Sequence, residues 1–140
     1  MRTSYVKSSA EQWHLIDADG KTLGKVVSKV SMILQGKTKP QYAPHVLCGD
    51  HVIIVNVSGL KFIPAKLHRK TYVKYSGYPG HLRTESLGSL FKRKPEEVIM
   101  NAIKGMLPNN RLKKGMLKHL HVYAGSEHRH EAQKPVKLDI

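Results

Sequence analysis

The chain has 140 residues, room for one domain that buries roughly 68–70% of its unfolded-chain surface. Its 24 Lys and Arg against 10 Asp and Glu give a formal charge of +14 and an isoelectric point near 10.0, an excess that opposes compaction and fits a polyanionic partner. One cysteine, Cys48, excludes an internal disulfide and a Cys-x-x-Cys zinc knuckle. No apolar run spans a bilayer and no signal-peptide core follows Met1, so the cytoplasm is the expected compartment, with no membrane partner.

Residues 1–12 are polar and read as an N-terminal arm of a single domain covering 1–140. Trp13–Asp17 reads as a short buried strand ended by the Asp19-Gly20 turn. Leu23, Val26, Val27, Val30, Ile33 and Leu34 form a helical stripe, with Thr22 as N-cap and Gly36 as the stop. His51–Val57 is nearly all apolar and β-branched, as in a strand covered on both faces. Leu60–Arg83 is less regular and holds Thr71–Tyr75 before the Gly/Pro turn Ser76–Gly80. Pro95, Glu96 and Glu97 open a second helix with the stripe Val98, Ile99, Ala102, Ile103 and Met106. Pro108 ends it, and Asn109-Asn110 begins a third helical segment through His119. Leu120–Ala124 is a last short strand, and 125–140 an extended tail. Strand, helix, buried strand predicts an α/β fold with a mostly parallel sheet and helices on both sides.

The charge is unevenly distributed. No acidic residue lies between Asp19 and Asp50, between Asp50 and Glu85, or between Glu97 and Glu127, and those windows hold sixteen Lys and Arg. Lys92-Arg93-Lys94 adds three more. A merely solvated face interleaves both signs, so a nucleic-acid surface is the better reading.

Other chemistries find little support. Around Gly24-Lys25 the first glycine of a P-loop is replaced by Asp19 and its hydroxyl residue by Val26. Around Gly36-Lys37-Thr38 the first glycine is Ser31, at the end of a helix instead of its start. Cys48, Asp50 and His51 are the only grouping near a nucleophile–base pattern, and Cys48 serves equally well as a small packed residue. No enzymatic activity, cofactor or small-molecule substrate is expected. The stretch His119–His130 carries His119, His121, His128 and His130. Zinc ligands drawn from both pairs are conceivable, but without a cysteine the His-x-His pattern is unspecific. The expectation is no metal: His119 and His121 project from one face of a strand, and His128 and His130 flank Arg129 in the tail, as stackable imidazoles on a basic surface.

Several longer stretches together resemble a known family: Asp19-Gly-Lys-Thr-Leu-Gly-Lys25, Tyr42-Ala-Pro-His45, Gly49-Asp50, Ser76-Gly-Tyr-Pro-Gly80, Lys94-Pro-Glu-Glu-Val98, Lys104-Gly-Met-Leu-Pro108, Leu120-His-Val-Tyr-Ala-Gly125 and Glu127-His-Arg-His-Glu-Ala-Gln133. In this order, and over nearly the whole chain from Trp13, they resemble the thirteenth-protein family of the large ribosomal subunit in its bacterial form. Departures fall at Ile63-Pro-Ala-Lys66, where the family commonly has a Thr-Gly turn, and at Lys113, where it often has glycine. The resemblance implies a three-layer α/β/α domain around a four-stranded, mainly parallel sheet. It also implies a non-enzymatic constituent of the large subunit that binds its rRNA, acts early in assembly and touches neighbouring ribosomal proteins.

Charge and resemblance converge on rRNA phosphates neutralised by basic loops, with shape recognised more than sequence. The expected phosphate contacts are Lys37, Lys39, Lys66, Arg69, Lys70, Lys74, Lys92, Arg93, Lys94, Arg111, Lys113, Lys114 and Lys118. Tyr75, Tyr78, His128, Arg129 and His130 are expected to stack or touch sugars. The alternatives are a free-standing RNA-binding regulator of translation and, from another class, a zinc- or cysteine-dependent hydrolase.

Overall fold

The computed structural model describes residues 10–140. Most of the arm expected over residues 1–12 lies outside them; its last residues are tied down, with the Gln12 amide donating to Asp50 Oδ1 at 2.8 Å.

In chain order the elements are β1 (Trp13–Asp17), α1 (Leu23–Gln35), β2 (His51–Val55), α2 (Pro64–Arg69), β3 (Thr71–Tyr75), β4 (Leu82–Ser86), α3 (Leu87–Arg93), α4 (Pro95–Met106), α5 (Lys113–Lys118), β5 (Leu120–Val122) and β6 (Val136–Leu138). Short 3-10 turns lie at Val57–Gly59 and Glu131–Gln133.

Helix α1 buries Val26, Val27, Val30, Ile33 and Leu34 of the expected stripe, each contributing about 1.5–3 kcal/mol of burial, while Leu23 in the first turn is only partly buried. Thr22 stands at the N-cap, but contrary to expectation its hydroxyl makes no capping bond. Its backbone instead forms a parallel bridge with Lys61. Gly36 ends the helix in a left-handed conformation (φ 75), where its amide donates to Ile33 and that of Lys37 to Met32. The loop after Gly36 returns closely over the helix end: a Cβ on Gly49 would sit 2.0 Å from the Leu34 carbonyl oxygen.

Strand β2 stops at Val55, two residues short of the expected end. Asn56 turns left-handed (φ 56), held by its side-chain amide on Asp17 Oδ1 at 3.0 Å. Val57 remains fully buried in the turn, which is why the apolar pattern runs past the strand. Ile63-Pro-Ala-Lys66, a departure from the family pattern, starts α2 with Pro64 in its first turn. Helix α4 opens at Pro95 with Glu96 and Glu97 in its first turn and buries Val98, Ile99 and Ile103, as expected. Met106, assigned to that stripe, is half exposed because it occupies the last turn at the helix margin. The third helical segment is shorter than 109–119: residues 108–112 turn, and Asn110 Oδ1 accepts the Lys113 amide to start α5. The last strand ends at Val122 instead of Ala124.

The tail does more than extend. Its β6 completes a sheet of order β5-β2-β1-β6 in which every pairing is parallel. The expected α/β architecture around a four-stranded parallel sheet is thus present. Alternation gives the sheet two different faces. Ile16, Val52, Ile54 and Leu120 point into one core with α1, α4 and Met116 of α5. Trp13, Leu15, His51, Ile53 and His121 point the other way, where the crossover from β5 to β6 lays His130 against Trp13 and His121. That crossover, with its 3-10 turn, forms the third layer. A smaller cluster of Leu87, Leu90 and Val98, with Phe62, Leu67 and Tyr72 against it, joins α2, α3 and the foot of the β3–β4 hairpin to α4.

Candidate nucleic-acid interface

The β3–β4 hairpin is the main feature that the core does not explain. It is antiparallel in the register Tyr72↔Glu85, Lys74↔Arg83, Tyr75↔Leu82 and closes through residues 76–81, with Gly77 and Gly80 at positive φ. Only its foot is held: the Leu87 amide donates to Lys70 at 2.8 Å, and Tyr72 is half-buried against the small cluster. Burial raises the Tyr72 phenol above its usual value. Further out, Tyr75 and Tyr78 are 62% and 72% exposed, with Val73 and Leu82 similarly bare. A lone two-stranded ribbon is marginally stable. Lys74 directly opposite Arg83 adds like-charge repulsion. One side of the ribbon is therefore apolar and aromatic, and the other carries the cations.

The expected contact residues separate by what their charges already do. Lys66, Arg69 and Lys70 ring a depression floored by Leu23, Phe62 and Leu87, joined by Lys61. Lys70 also lies 5.4 Å from the Tyr72 ring centroid. Lys74, Arg83 and Arg93 line a second depression beside the hairpin. Lys37 lines a third with Asn110, which brings the end of α1 next to the start of α5, where Arg111, Lys113, Lys114 and Lys118 lie. None of Lys37, Lys66, Arg69, Lys70, Lys74, Lys92, Arg111, Lys113, Lys114, Lys118 and Arg129 has an ion-pair partner among the described residues. Arg93 pairs with Glu85 at 2.7 Å and Lys94 with Glu97 at 3.5 Å, in exposed contacts worth about 0–1 kcal/mol that a phosphate competes with easily.

Lys39 is a correction. Its ammonium lies 2.6 Å from Oδ1 of the buried Asp50 and donates to the Ala10 carbonyl, with the side chain only 15% exposed. Its charge is committed inside the fold. Burial would push the Asp50 carboxyl up, but bonds from Lys39, the Gln12 amide and His14 hold it below its usual 3.8. Asp17 is likewise lowered, by the Asp19 amide and the Asn56 side chain. Cys48 Sγ is buried and faces the Gln41 carbonyl, so Cys48, Asp50 and His51 form no nucleophile–base pair.

The histidines also differ from expectation. His119 caps the end of α5 before the strand begins, and His119 and His121 do not stand outward as free imidazoles. His51 lies between Trp13 (centroids 4.1 Å apart) and His119 (4.2 Å), and His121 and His130 lie against Trp13 and each other. His130, expected to stack on RNA, stacks on the protein. The reason is register: pairing β1, β2 and β5 in parallel places Trp13, His51 and His119 side by side on one face. Burial is the main cause that lowers His119 and His121 below 6.5, helped by neighbouring histidines. Among the described residues, the nearest approach to a metal-ligand group is Glu11, His51 and His119, which takes only one member of the histidine-rich stretch. It does not fit a metal, because the stacked His51 and His119 rings, 26° between planes, hold their in-plane lone pairs nearly parallel and cannot converge on one ion.

Sequence reasoning did not single out Arg83 and Lys61, which line the same depressions as the expected residues. Arg83 becomes conspicuous only opposite Lys74, and a six-residue loop hides that pairing. No helix among the described residues is long and apolar enough to cross a membrane.

A family model described as Ribosomal protein L13 matches residues 11–129. The large ribosomal subunit protein uL13 of Thermoanaerobacter sp. (strain X514) is 52% identical over 129 residues, covering 92% of this chain and 90% of that relative. The uL13 of Geobacter sulfurreducens is 46% identical with both chains fully covered, and that of Geobacillus sp. (strain WCH70) is 47% identical over 100% of this chain and 99% of its own.

Proposed function

Since the chain belongs to the ribosomal protein L13 family, we propose that it is a structural constituent of the large ribosomal subunit. It binds large-subunit rRNA through exposed basic loops and helps the subunit assemble early. The carrying observation is the set of cations without acidic partners on α2, the hairpin and α5, together with exposed Tyr75 and Tyr78. A free chain gains nothing from Lys74 facing Arg83; a chain on phosphate does.

The contacts divide into three groups. Lys66, Arg69, Lys70, Lys74 and Arg83 grip phosphates around the hairpin while Tyr75 and Tyr78 stack on unpaired bases. Lys92, Arg93 and Lys94 form a second group where α3 meets α4. Lys37, Arg111, Lys113, Lys114 and Lys118 form a third around α5, with His128 and Arg129 on the crossover between β5 and β6. Groups on separate elements hold separate RNA segments at a fixed spacing, which is how a protein with no reaction to catalyse promotes assembly. Neighbouring ribosomal proteins are the remaining partners, and the ribosome in the cytoplasm is its location.

Sucrose-gradient fractionation of cells carrying a tagged chain tests this. The chain is expected with the large subunit and its precursors. Confinement to light fractions would overturn the reading in favour of a free-standing regulator.

A further inference from the structure

We propose that the depression between the start of α1, residues 61–63 and α2 receives one unstacked base of single-stranded large-subunit rRNA, with the flanking phosphates on Lys61, Lys66, Arg69 and Lys70. This pocket presupposes the rRNA reading given above and adds to it a base contact that gripping phosphates does not require.

The depression has a volume of about 690 Å³, within the roughly 300–1,000 Å³ of ligand-sized pockets. Its floor is apolar. Val27 and Leu87 lie almost fully buried beneath it, and the Phe62 ring is held by Phe91 at 4.8 Å and 71° between planes. Ile63 and Met106, 60% and 50% exposed, form bare sides. The four cations stand around this floor, and none has an ion-pair partner among the described residues. An apolar floor ringed by unpaired cations matches a nucleotide, which joins an apolar π-face to anionic phosphates.

Gly24 keeps the mouth open. It stands in the first turn of α1, although glycine is a poor helix former. Nothing lies within 4 Å of the place its Cβ would take, and its φ is not positive, so neither packing nor backbone requires glycine here. A side chain at 24 would occupy the mouth of the depression that Gly24 lines.

An acidic peptide would also match the cations. Its backbone N–H groups, however, would lie over an apolar floor where Thr22 supplies the one side-chain acceptor among the described lining residues. A base needs fewer partners, and the Thr22 hydroxyl, which makes no capping bond, is free to meet a base edge. Lys70 also lies 5.4 Å from the Tyr72 ring centroid, and its carbonyl accepts the Leu87 amide. The depression is thus continuous with the hairpin surface assigned to RNA.

The test uses full-length chain and large-subunit rRNA in a salt series. Gly24→Leu fills the mouth without altering charge; it should weaken binding roughly tenfold with the salt slope unchanged and urea unfolding no easier than in wild type. Ultraviolet cross-linking of the wild-type complex, which depends on no variant's folding, should join a base to the peptide holding Phe62. Wild-type affinity in a folded Gly24→Leu chain, or cross-links confined to the hairpin peptides, would overturn the pocket and leave the rRNA reading standing. Full rRNA binding by Gly24→Leu combined with its loss from reconstituted subunits would overturn it in favour of a neighbouring protein. A wild-type chain that fails to bind rRNA would overturn both.

Discussion

Replacing Lys39 with methionine removes the ammonium 2.6 Å from Asp50 Oδ1 and keeps most of the apolar stem. The Asp50 side chain is 3% exposed, so water cannot take the ammonium's place. Two partners remain, the Gln12 amide at 2.8 Å and His14 Nε2 at 3.3 Å. Stranding a buried charge completely costs about 3–5 kcal/mol; with two of three partners kept, the loss should be about 2–3 kcal/mol, the range of one charge-assisted hydrogen bond. For 140 residues at about 2 cal/mol/K of unfolding entropy each, the melting midpoint falls by roughly 7–10 °C. Urea unfolding at neutral pH measures this directly. The folded-state carboxyl of Asp50 is lowered, so its stabilisation is complete above 3.8 and is lost as pH falls through its folded value. The gap between wild type and variant therefore closes in strong acid. Binding of the variant to large-subunit rRNA should keep the wild-type salt dependence. Unchanged stability with a salt slope shallower by about 1 would refute the reasoning and return Lys39 to the RNA surface.

The hairpin cations behave in the opposite way. Lys74→Gln or Arg83→Gln should make the salt slope shallower by about 1 each without lowering stability, because each removes a like-charge pair from the free protein. A melting midpoint that falls in either variant would mean the pair is structural. Tyr75→Ala with Tyr78→Ala should weaken RNA binding by about 1–3 kcal/mol per stacked base, read by filter binding, with urea unfolding unchanged. Gly49→Ala should cost about 1–3 kcal/mol or more, since the added Cβ would meet the Leu34 carbonyl at 2.0 Å; a neutral effect in urea unfolding would show that the loop can lift. His119 and His121 are held below 6.5 by burial, so the unfolded chain binds more protons as pH drops under that value. Stability is then full above 6.5 and declines on acidification; unfolding free energies that stay flat from about pH 7 to about pH 5 would contradict this.

What was legible in the sequence follows from how local each signal is. The α1 stripe and its Gly36 stop, the Pro95-Glu96-Glu97 opening of α4 and the apolar run of β2 are encoded within a few residues, and they form where read, with β2 ending two residues early. The β4 strand was invisible because Leu82–Ser86 alternates poorly and its partner lies across a six-residue loop. The β6 strand was hidden because Val136–Leu138 is only three residues long and pairs with β1, from the other end of the chain. Helix α3 begins at Leu87 behind the N-cap Ser86, whose hydroxyl accepts the Ser89 amide, and Gly88 and Ser89 mask its pattern. At the candidate interface, charge runs pointed to the basic groups, but composition does not reveal which cations are spent internally. Lys39 and Asp50 are eleven residues apart in sequence and meet only when the loop folds back over α1. The histidines were misread for a similar reason: alternation in His119–Val122 sets the face correctly, and the parallel register that places Trp13 and His51 beside it is a long-range fact.

Binding of the purified chain to large-subunit rRNA across a salt series tests the central claim most directly. If some eight of the unpaired lysines and arginines neutralise phosphates, the logarithm of the association constant should fall against the logarithm of salt with a slope of about −6 to −7. A response close to flat would contradict the account, because the cations on α2, the hairpin and α5 would then have another purpose.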